Sequence, residues 1–266
     1  MQAVALTIAG SDPSGGAGIQ ADLKTFHQFG VYGQAVITLL TVQNTRRVSR
    51  VETVPADFVT EELEAVIADI APQAAKTGAL GSAEIVEEIA RHARRFNFPL
   101  VVDPVMISKH GAALISRSAG DALKRKLLPC AALVTPNIPE TELLTGMHVK
   151  DKDDIRRAGE RLLALGCRAV LIKGGHSPGE PIDYLLDADS FTEFEGKRVK
   201  TGHTHGTGCT YSAAITAGLA LGYDLRRAVG MAKHFIQCAI ETAPGLGSGN
   251  GPVNHFAEIA AGGEAG

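Results

Sequence analysis

The sequence alternates short apolar runs, rich in β-branched residues, with amphipathic stretches along all of its 266 residues. Strands that alternate with helices of about 10–15 residues favour a mostly parallel sheet covered by helices on both faces. No segment rich in Pro, Gly or Ser divides the chain, and no internal repeat is visible. We therefore expect a single α/β domain over residues 1–259, followed by a flexible tail of small residues over 260–266.

Apolar periodicity, caps and glycine stops locate the individual elements. The predicted strands are Ala3–Ala9, one within Val31–Val42, Ala74–Lys76, Pro99–Val102, Ala131–Thr135, Arg168–Lys173, and an antiparallel pair, Tyr184–Leu186 with Phe191–Phe194. The predicted helices are Gly16–Phe29, one spanning Val59 to Ile70, one from the Ser82 cap to Arg95, Arg117–Leu127, one capped by Asp151 or Asp153 and stopped by Gly166, Thr207–Leu221, and Asp224–Ala243.

Nearly every predicted strand ends in polar residues or glycine. These clusters are Gly10-Ser11-Asp12, Gln43-Asn44, Lys76-Thr77-Gly78, Asp103-Pro104, Pro136-Asn137 and Lys173-Gly174-Gly175. Ligands of open α/β sheets bind at the carboxyl ends of the strands. The sequence therefore predicts a ligand site at this edge of the sheet.

Composition and charge exclude several classes of function. Lys and Arg number 26 against 29 Asp and Glu, a net charge of −3, so we expect no nucleic-acid partner. The four cysteines form no C-x-x-C pair, which argues against zinc knuckles and thioredoxin-type sites. No apolar stretch approaches the ~18–20 residues that span a bilayer, and no Lys or Arg precedes the N-terminal apolar run as in a signal peptide. We expect a cytoplasmic protein without a membrane partner.

Glycine is frequent, at 30 of 266 residues, and it concentrates in three loops. The loop Gly10–Gly18 lacks the lysine of a P-loop and the acidic residue of a dinucleotide-binding fold, so it either contacts a ligand or only turns the chain. Gly206, Thr207 and Gly208 open an apolar helix, where backbone N–H groups and the helix dipole favour an anion. The cluster Gly245–Pro252 is either a ligand loop or a flexible stop signal.

A few reactive or charged residues occupy unusual positions. Cys209 stands in the first turn of a helix, where a lowered thiol pKa is expected, unless it is only a small buried side chain. Asp22 lies on the apolar side of its helix and either turns outward or binds a ligand. Lys233 either extends to water or serves a ligand. Asp103 and Glu140 are candidate ligands of a hydrated Mg²⁺.

Six stretches, in this order, resemble the ribokinase-like superfamily and, within it, the hydroxymethylpyrimidine/phosphomethylpyrimidine kinases of thiamine biosynthesis. They are Leu6–Phe26, Val42–Thr45, Val102–Met106, Thr135–Glu140, Lys173–His176 and His205–Thr210. The resemblance implies a ribokinase-like fold with a minimal lid. It also implies an ATP- and Mg²⁺-dependent kinase, a homodimer, that phosphorylates 4-amino-5-hydroxymethyl-2-methylpyrimidine to its monophosphate and then to the diphosphate.

The resemblance also assigns roles to residues. It implies that the pyrimidine is bound by Asp22, Gln43, Gly10, Ala79 and Val105. It implies an anion hole formed by Gly206, Thr207 and Gly208, with Cys209 and Lys173 as further catalytic residues. It also implies that ATP is bound by Asn137, Lys173 and Lys233, and the metal by Asp103 and Glu140. Ala79 departs from the methionine that the family often has there, which enlarges one wall of the pocket. Two alternatives stay open: a pyridoxal or pyridoxine kinase, and a catalytically silent pyrimidine-binding regulatory protein.

Overall fold

The predicted alternation of strands and helices is present in the computed structural model, which describes residues 2–106, 116–176 and 179–259. Within these residues nine strands form one sheet in the order β3-β2-β1-β4-β5-β6-β7-β8-β9. The strands are β1 Val4–Ser11, β2 Tyr32–Gln43, β3 Val48–Thr53, β4 Ala74–Thr77, β5 Leu100–Val102, β6 Leu133–Val134, β7 Ala169–Ile172, β8 Asp183–Asp187 and β9 Phe191–Phe194. In the order of the sheet, the pairings β2-β1-β4-β5-β6-β7 are all parallel. Strand β3 pairs antiparallel with β2 at one edge, and β8 and β9 add two antiparallel pairings at the other.

Eight α-helices connect and cover these strands in the described residues. They are α1 Gly18–Gln28, α2 Ala56–Asp69, α3 Ala83–Ala93, α4 Arg117–Ala122, α5 Ile138–Thr145, α6 Lys152–Leu163, α7 Thr207–Ala220 and α8 Leu225–Glu241. Of the predicted caps, Ser82 accepts the N–H of Ile85, and Asp151 rather than Asp153 caps α6. A π-helical turn, Leu123–Leu127, extends α4 over the rest of its predicted length.

The sheet separates two apolar cores, and the period-2 alternation of the strands supplies both. In β5, for example, Leu100 and Val102 face one core while Val101 faces the other. The first core packs against α2, α3 and α6, and the second against α1, α7 and α8. Helix α7 lies across the centre of the sheet and is buried over most of its length, which explains its apolar sequence.

Two elements were not predicted. The edge strand β3 is mostly polar and exposed on both faces, so its sequence carries no alternation. Helix α5 is short, and its beginning reads as a loop because it contains Asn137 and Pro139. The β8–β9 pair continues the main sheet and adds no separate lid. The predicted tail over 260–266 lies outside the described residues, and no helix among the described ones has the length and apolar character to cross a membrane.

Candidate active site

A cavity of about 710 Å³ opens where the carboxyl ends of the parallel strands meet, as the strand-end clusters predict. Residues from every one of these clusters line it. The predicted site residues on its wall are Gly10, Gln43, Ala79, Asp103, Val105, Asn137, Glu140, Lys173, Gly206, Thr207, Gly208, Cys209 and Lys233. Asp22, by contrast, is fully buried behind the wall.

The first two glycine loops pack directly on each other at the start of α7. Gly206, the N-cap of α7, has a left-handed backbone (φ 78°), and a Cβ there would overlap the carbonyl oxygen of Gly16. A Cβ on Gly18 (φ 56°) would likewise overlap the carbonyl oxygen of Gly10. Only glycine fits at both positions. This contact brings the first turn of α7 to the cavity wall beside the Gly10–Gly18 loop. The N–H groups at a helix start have no partner within the helix, and that of Thr207 bonds to Thr204 O at 3.3 Å.

Asp103 and Lys173 form an ion pair beside that helix start. Lys173 Nζ lies 3.0 Å from Asp103 Oδ1, which also accepts a hydrogen bond from Thr135, and Ser212 of α7 donates to Oδ2. Burial alone would lower the pKa of Lys173, but Asp103 and Glu140 raise it. The lysine is therefore a cation held against the N-terminus of α7, where a phosphoryl group would add negative charge.

Asn137 and Glu140 form a capping box at the start of α5. The Asn137 side chain accepts the N–H of Glu140 at 2.9 Å, and the Glu140 carboxylate accepts the N–H of Asn137 at 2.8 Å. Burial, reinforced by the nearby Asp103 charge, raises the pKa of Glu140 to about 7 despite the opposing effect of Lys173. The N-x-x-E spacing thus has a structural role in addition to any role with a ligand.

Lys233 binds to the beginning of strand β8, which lies one strand in from the edge of the sheet. Its Nζ donates to the Asp183 carboxylate and to the carbonyl oxygen of Pro181, both at 2.7 Å, and the same carboxylate accepts the N–H of Gly174. The side chain therefore does not extend to bulk water. It lines the cavity near the loop that follows β7.

Asp22 forms a fully buried ion pair with Lys76, a residue the sequence reading did not single out. Asp22 Oδ2 lies 2.8 Å from Lys76 Nζ and 2.6 Å from Thr7 Oγ1, while its Oδ1 is buried without a hydrogen-bond partner among the described residues. Burial raises the pKa of Asp22, and Lys76 partly opposes this effect. Asp22 thus does not turn outward but lies beneath the wall. The sequence did contain a signal for its partner, a lysine within the otherwise apolar start of β4.

The expected lowering of the Cys209 pKa is wrong. Burial raises the pKa of the thiol to about 12, and the nearby charge of Lys76 and the N–H of Gly18 lower it too little to compensate. A position in the first helical turn favours a thiolate only where the sulfur keeps enough polar surroundings. The side chain therefore meets the cavity as a neutral thiol.

His205, Asp12 and Gln43 form a second polar group at the cavity rim. His205 Nε2 lies 2.7 Å from Asp12 Oδ2 and 3.2 Å from the Gln43 amide. The histidine therefore binds Asp12, and it is not positioned by these contacts as a partner of Cys209. Asp12 belongs to a cluster that the sequence reading placed at a strand end, but its pairing with a residue 193 positions away has no local signal.

The third glycine cluster does not line the cavity. It lies against the turn between β2 and β3, where Asn250 donates its N–H to Thr45 O at 2.7 Å and Arg46 donates to the Ser248 hydroxyl at 2.6 Å. A Cβ at Gly249 would overlap the Thr45 carbonyl oxygen. The cluster thus holds the β2–β3 hairpin, whose strand β2 contributes Thr41 and Gln43 to the cavity.

The donor set fits a hydrated divalent cation. The described residues contain no group of three or more His, Cys, Asp or Glu side chains that could enclose a metal. Asp103 and Glu140 nevertheless both lie on the cavity wall, close enough for each charge to act on the other. Mg²⁺ in phosphoryl-transfer enzymes typically uses one or two carboxylates and completes its shell with phosphate oxygens and water.

Comparison with known proteins places the chain among small-molecule kinases. A family model for phosphomethylpyrimidine kinase matches residues 12–254. A hydroxymethylpyrimidine/phosphomethylpyrimidine kinase of Bacillus subtilis is 45% identical over 95% of this chain and 94% of its own length. A thiamine biosynthesis bifunctional protein of Geobacter sulfurreducens is 51% identical over 94% of this chain, which spans about half (52%) of that longer protein.

Solved structures give the same grouping. A crystal structure of phosphomethylpyrimidine kinase from Clostridium difficile superposes with a TM-score of 0.80 at 46% identity, covering 88% of this chain and 98% of that one. An ADP complex of Bacillus subtilis pyridoxal kinase superposes with a TM-score of 0.89 at 37% identity, covering 97% and 98%. The fold is therefore shared with these kinases.

Proposed function

Since this chain belongs to the phosphomethylpyrimidine kinase family, we propose that its cavity transfers the γ-phosphoryl group of ATP to the hydroxymethyl group of 4-amino-5-hydroxymethyl-2-methylpyrimidine, and then to the resulting monophosphate. The observation that carries this proposal is the glycine-lined start of α7, placed beside the Lys173–Asp103 pair in one cavity. Phosphoryl transfer depends mainly on positioning and on stabilising charge, which is what backbone N–H groups and lysines supply.

At the phosphate end, we assign the anion hole to the N–H groups of Gly206, Thr207 and Gly208. Lys173 lies close to this turn, since a Cβ built on Gly208 would be 3.4 Å from Lys173 Nζ. In this arrangement the lysine and the helix N-terminus face the same volume. Both would stabilise the negative charge that spreads over the transferring group.

At the nucleotide side, Asn137, Lys173 and Lys233 are proposed to bind ATP. Asp103 and Glu140 are the carboxylates proposed to hold Mg²⁺, which when bound neutralises phosphate charge and aligns the phosphates for transfer. Glu140 would bind the cation in its ionised form, so metal binding is expected to release the proton that burial favours at neutral pH.

At the pyrimidine end, Gly10, Gln43, Ala79 and Val105 provide the wall of the proposed substrate pocket. Asp22 is proposed to accept a hydrogen bond from the exocyclic amine. Its buried, unpartnered Oδ1 supports this role, because such an oxygen gains a hydrogen bond when a ligand donor reaches it.

Cys209 is proposed to contact the reacting hydroxyl group. It is the last residue of the segment Gly206–Cys209 on the cavity wall. As a neutral thiol it would serve as a hydrogen-bonding partner of that hydroxyl before any proton moves.

The test is an assay of the purified protein with the pyrimidine, Mg-ATP and separation of the phosphorylated products. We expect the monophosphate to appear first and the diphosphate to follow. The pyrimidine binding without ATP consumption would instead identify a silent binding protein, and the absence of both binding and turnover would refute the assignment altogether.

Pyridoxal is a second candidate substrate, and two observations favour testing it. The chain is 37% identical to a structurally similar pyridoxal kinase, and Ala79 leaves more room in the cavity than a methionine would. We expect kcat/KM for the aminopyrimidine to exceed that for pyridoxal. The reverse order in a side-by-side measurement would reassign the main substrate.

The proposed assembly rests on the family resemblance, and the proposed location rests on the composition and on the N-terminal sequence. We infer a homodimer in the cytoplasm. Light scattering coupled to size-exclusion chromatography measures the first directly, and a monomeric mass would reject it.

A further inference from the structure

The polar group formed by Asp12, His205 and Gln43 restricts the positions of its hydrogen atoms. Asp12 and His205 are both buried, while Gln43 is half-buried and lines the cavity. His205 Nε2 is in contact with an oxygen of Asp12 at 2.7 Å and with the Gln43 amide at 3.2 Å. A single ring nitrogen thus contacts two neighbours. Whether it carries a hydrogen decides whether each neighbour must accept or donate a hydrogen bond there.

The Asp12 carboxylate determines the protonation of His205 Nε2. Burial alone would raise the pKa of Asp12, but hydrogen bonds from His205 and Ser14 hold it below its ordinary value, so the group is ionised. Its oxygens also accept the N–H groups of Ser14 and Ala17 at 2.9 Å. An ionised carboxylate has no proton to donate, so Nε2 must carry the hydrogen and donate it to Asp12.

This proton in turn determines the orientation of the Gln43 amide. A protonated Nε2 cannot accept a hydrogen bond from the amide nitrogen, but it can share its hydrogen with the amide oxygen. Gln43 Oε1 lies 3.3 Å from Thr41 Oγ1, and the Thr41 hydroxyl also reaches the carbonyl oxygen of Ser11 at 3.0 Å. When Thr41 donates its one hydrogen to Ser11, it can only accept at the amide, so a 180° rotation of the amide that places its nitrogen toward Thr41 and its oxygen toward His205 satisfies both contacts.

We propose that His205, held by Asp12, is a positioning residue that fixes Gln43 with its oxygen toward the histidine and its NH₂ group toward Thr41 and the cavity. One amide hydrogen serves Thr41, and the second is offered to the ligand. Gln43 then selects a ligand that presents a hydrogen-bond acceptor at this point, such as a ring nitrogen of a heteroaromatic substrate. The inference rests on the proposed function, since it concerns the specificity of the same cavity.

The first experiment measures the state of His205 without using activity. The ¹⁵N chemical shift of Nε2 in the free enzyme, read from long-range ¹H–¹⁵N spectra, distinguishes a protonated from an unprotonated ring nitrogen. We expect Nε2 to carry a hydrogen, as its contact with the Asp12 carboxylate requires. An unprotonated Nε2 overturns the inference, whether or not the enzyme phosphorylates the pyrimidine.

The second experiment compares variants. His205→Phe removes the donor and should raise KM for the pyrimidine about tenfold, while KM for ATP and kcat change little. His205→Gln places an amide N–H near the same point and should restore KM toward the wild-type value. His255→Phe is the control, because His255 is a buried histidine that bonds to Thr210 away from the cavity wall, and its loss should leave KM for the pyrimidine unchanged.

Two substrate analogues complete the test, each a pyridine in which one ring nitrogen of the aminopyrimidine is replaced by C–H. Calorimetry should show that wild-type enzyme binds one of them about tenfold more weakly than the parent, whereas His205→Phe no longer discriminates. Equal pyrimidine binding by wild type and His205→Phe, or a failure of His205→Gln to recover when it is folded, overturns the role of His205. If the wild type itself neither binds nor phosphorylates the pyrimidine, the proposed function fails, and the NMR measurement still decides the protonation of His205.

Discussion

Replacing Lys76 by methionine removes the cation of a buried ion pair while keeping a side chain of similar length. The side chains of Lys76 and Asp22 are both 0% exposed, and their charged atoms lie 2.8 Å apart. Thr7 is the other hydrogen-bond donor to the Asp22 carboxylate among the described residues. The substitution Lys76→Met therefore leaves a carboxylate in an apolar interior with a single hydroxyl to stabilise it.

The size of the loss has two limits. At an effective dielectric constant of ~20, two unit charges at this separation attract each other by about 6 kcal/mol. The variant avoids part of this loss because Asp22 takes up a proton instead. Starting from the ordinary Asp pKa of 3.8, protonation at pH 7 costs about 4 kcal/mol at 1.36 kcal/mol per unit. Burial already raises the pKa of Asp22 in the wild type, so part of this cost is present there too. We therefore expect Lys76→Met to lower the free energy of unfolding by up to about 4 kcal/mol at pH 7.

The loss should depend on pH in a defined direction. In the variant, the pKa of Asp22 in the folded state is raised above its value in the unfolded state, so the folded protein binds more protons. Its stability then falls as pH rises above the unfolded pKa. The loss is expected to shrink to at most about 1.5 kcal/mol at pH 5 and to vanish near pH 4.

Urea unfolding of the variants at pH 5 and pH 7 tests this reasoning. The double variant Asp22→Asn/Lys76→Met carries no buried charge at this site and should regain most of the loss. Arg50→Met is the control, because Arg50 and Glu52 pair on the surface with side chains 70% and 62% exposed, and such pairs contribute about 0–1 kcal/mol. If Lys76→Met costs no more than Arg50→Met, or costs the same at both pH values, the ion pair does not have the role derived from its burial.

Three further variants test the site. Gly206→Ala should destabilise the protein by more than the ~1 kcal/mol that a left-handed backbone costs alone, because the new Cβ would overlap the carbonyl oxygen of Gly16. Gly222→Ala is the control for the backbone cost, since Gly222 has φ 84° and open space around it. Equal losses of stability in the two variants would contradict the close approach of Gly206 to Gly16. Cys209→Ala should lower kcat at least about tenfold with ATP affinity nearly kept, and an unchanged kcat would remove the thiol from the chemistry. In Mg²⁺-free buffer, Glu140→Gln should raise the free energy of unfolding by up to about 3 kcal/mol at pH 8 and have little effect near pH 4. The reason is that the pKa of Glu140 is raised to about 7 in the folded wild type, so the wild-type protein loses stability as pH rises from 4.5 through 7. A difference that does not vary with pH in chemical unfolding curves would count against a buried, raised-pKa Glu140.

The parts of the fold that were predictable are those that bury apolar residues with a regular period. Strand β5 is fully buried and helix α7 is buried over most of its length, so their apolar sequences reflect the interior around them. The edge strand β3 faces water on both sides, so its side chains show no apolar alternation that would predict a strand. It is held in the sheet by backbone hydrogen bonds to β2. Its position follows from the tertiary structure, and no local pattern encodes it.

The site was predictable where chain topology alone brings residues together. Parallel strands end at one edge of the sheet, so Asp103, Asn137 and Lys173 could be placed at a common cavity before the structure was known. Pairings across long stretches of sequence were not predictable. The partners of Asp22 and Asp12 lie 54 and 193 residues away, and a single sequence gives no measure of such distances.

The state of Cys209 limits what the thiol can contribute to phosphoryl transfer. With its pKa raised to about 12 by burial, the side chain is neutral when the substrate hydroxyl reaches it, so it cannot remove a proton at the outset. In a loose transition state the hydroxyl becomes acidic only as its bond to phosphorus forms, and most of the charge is then on the transferring group. In the proposed arrangement that charge would lie nearest to the start of α7 and to Lys173, which are charged or polarised before any substrate binds. The backbone N–H groups and the lysine should therefore account for most of the rate enhancement, and the loss in Cys209→Ala should lie near its limit of about tenfold, below the about 10²–10⁴-fold that removal of a general base causes.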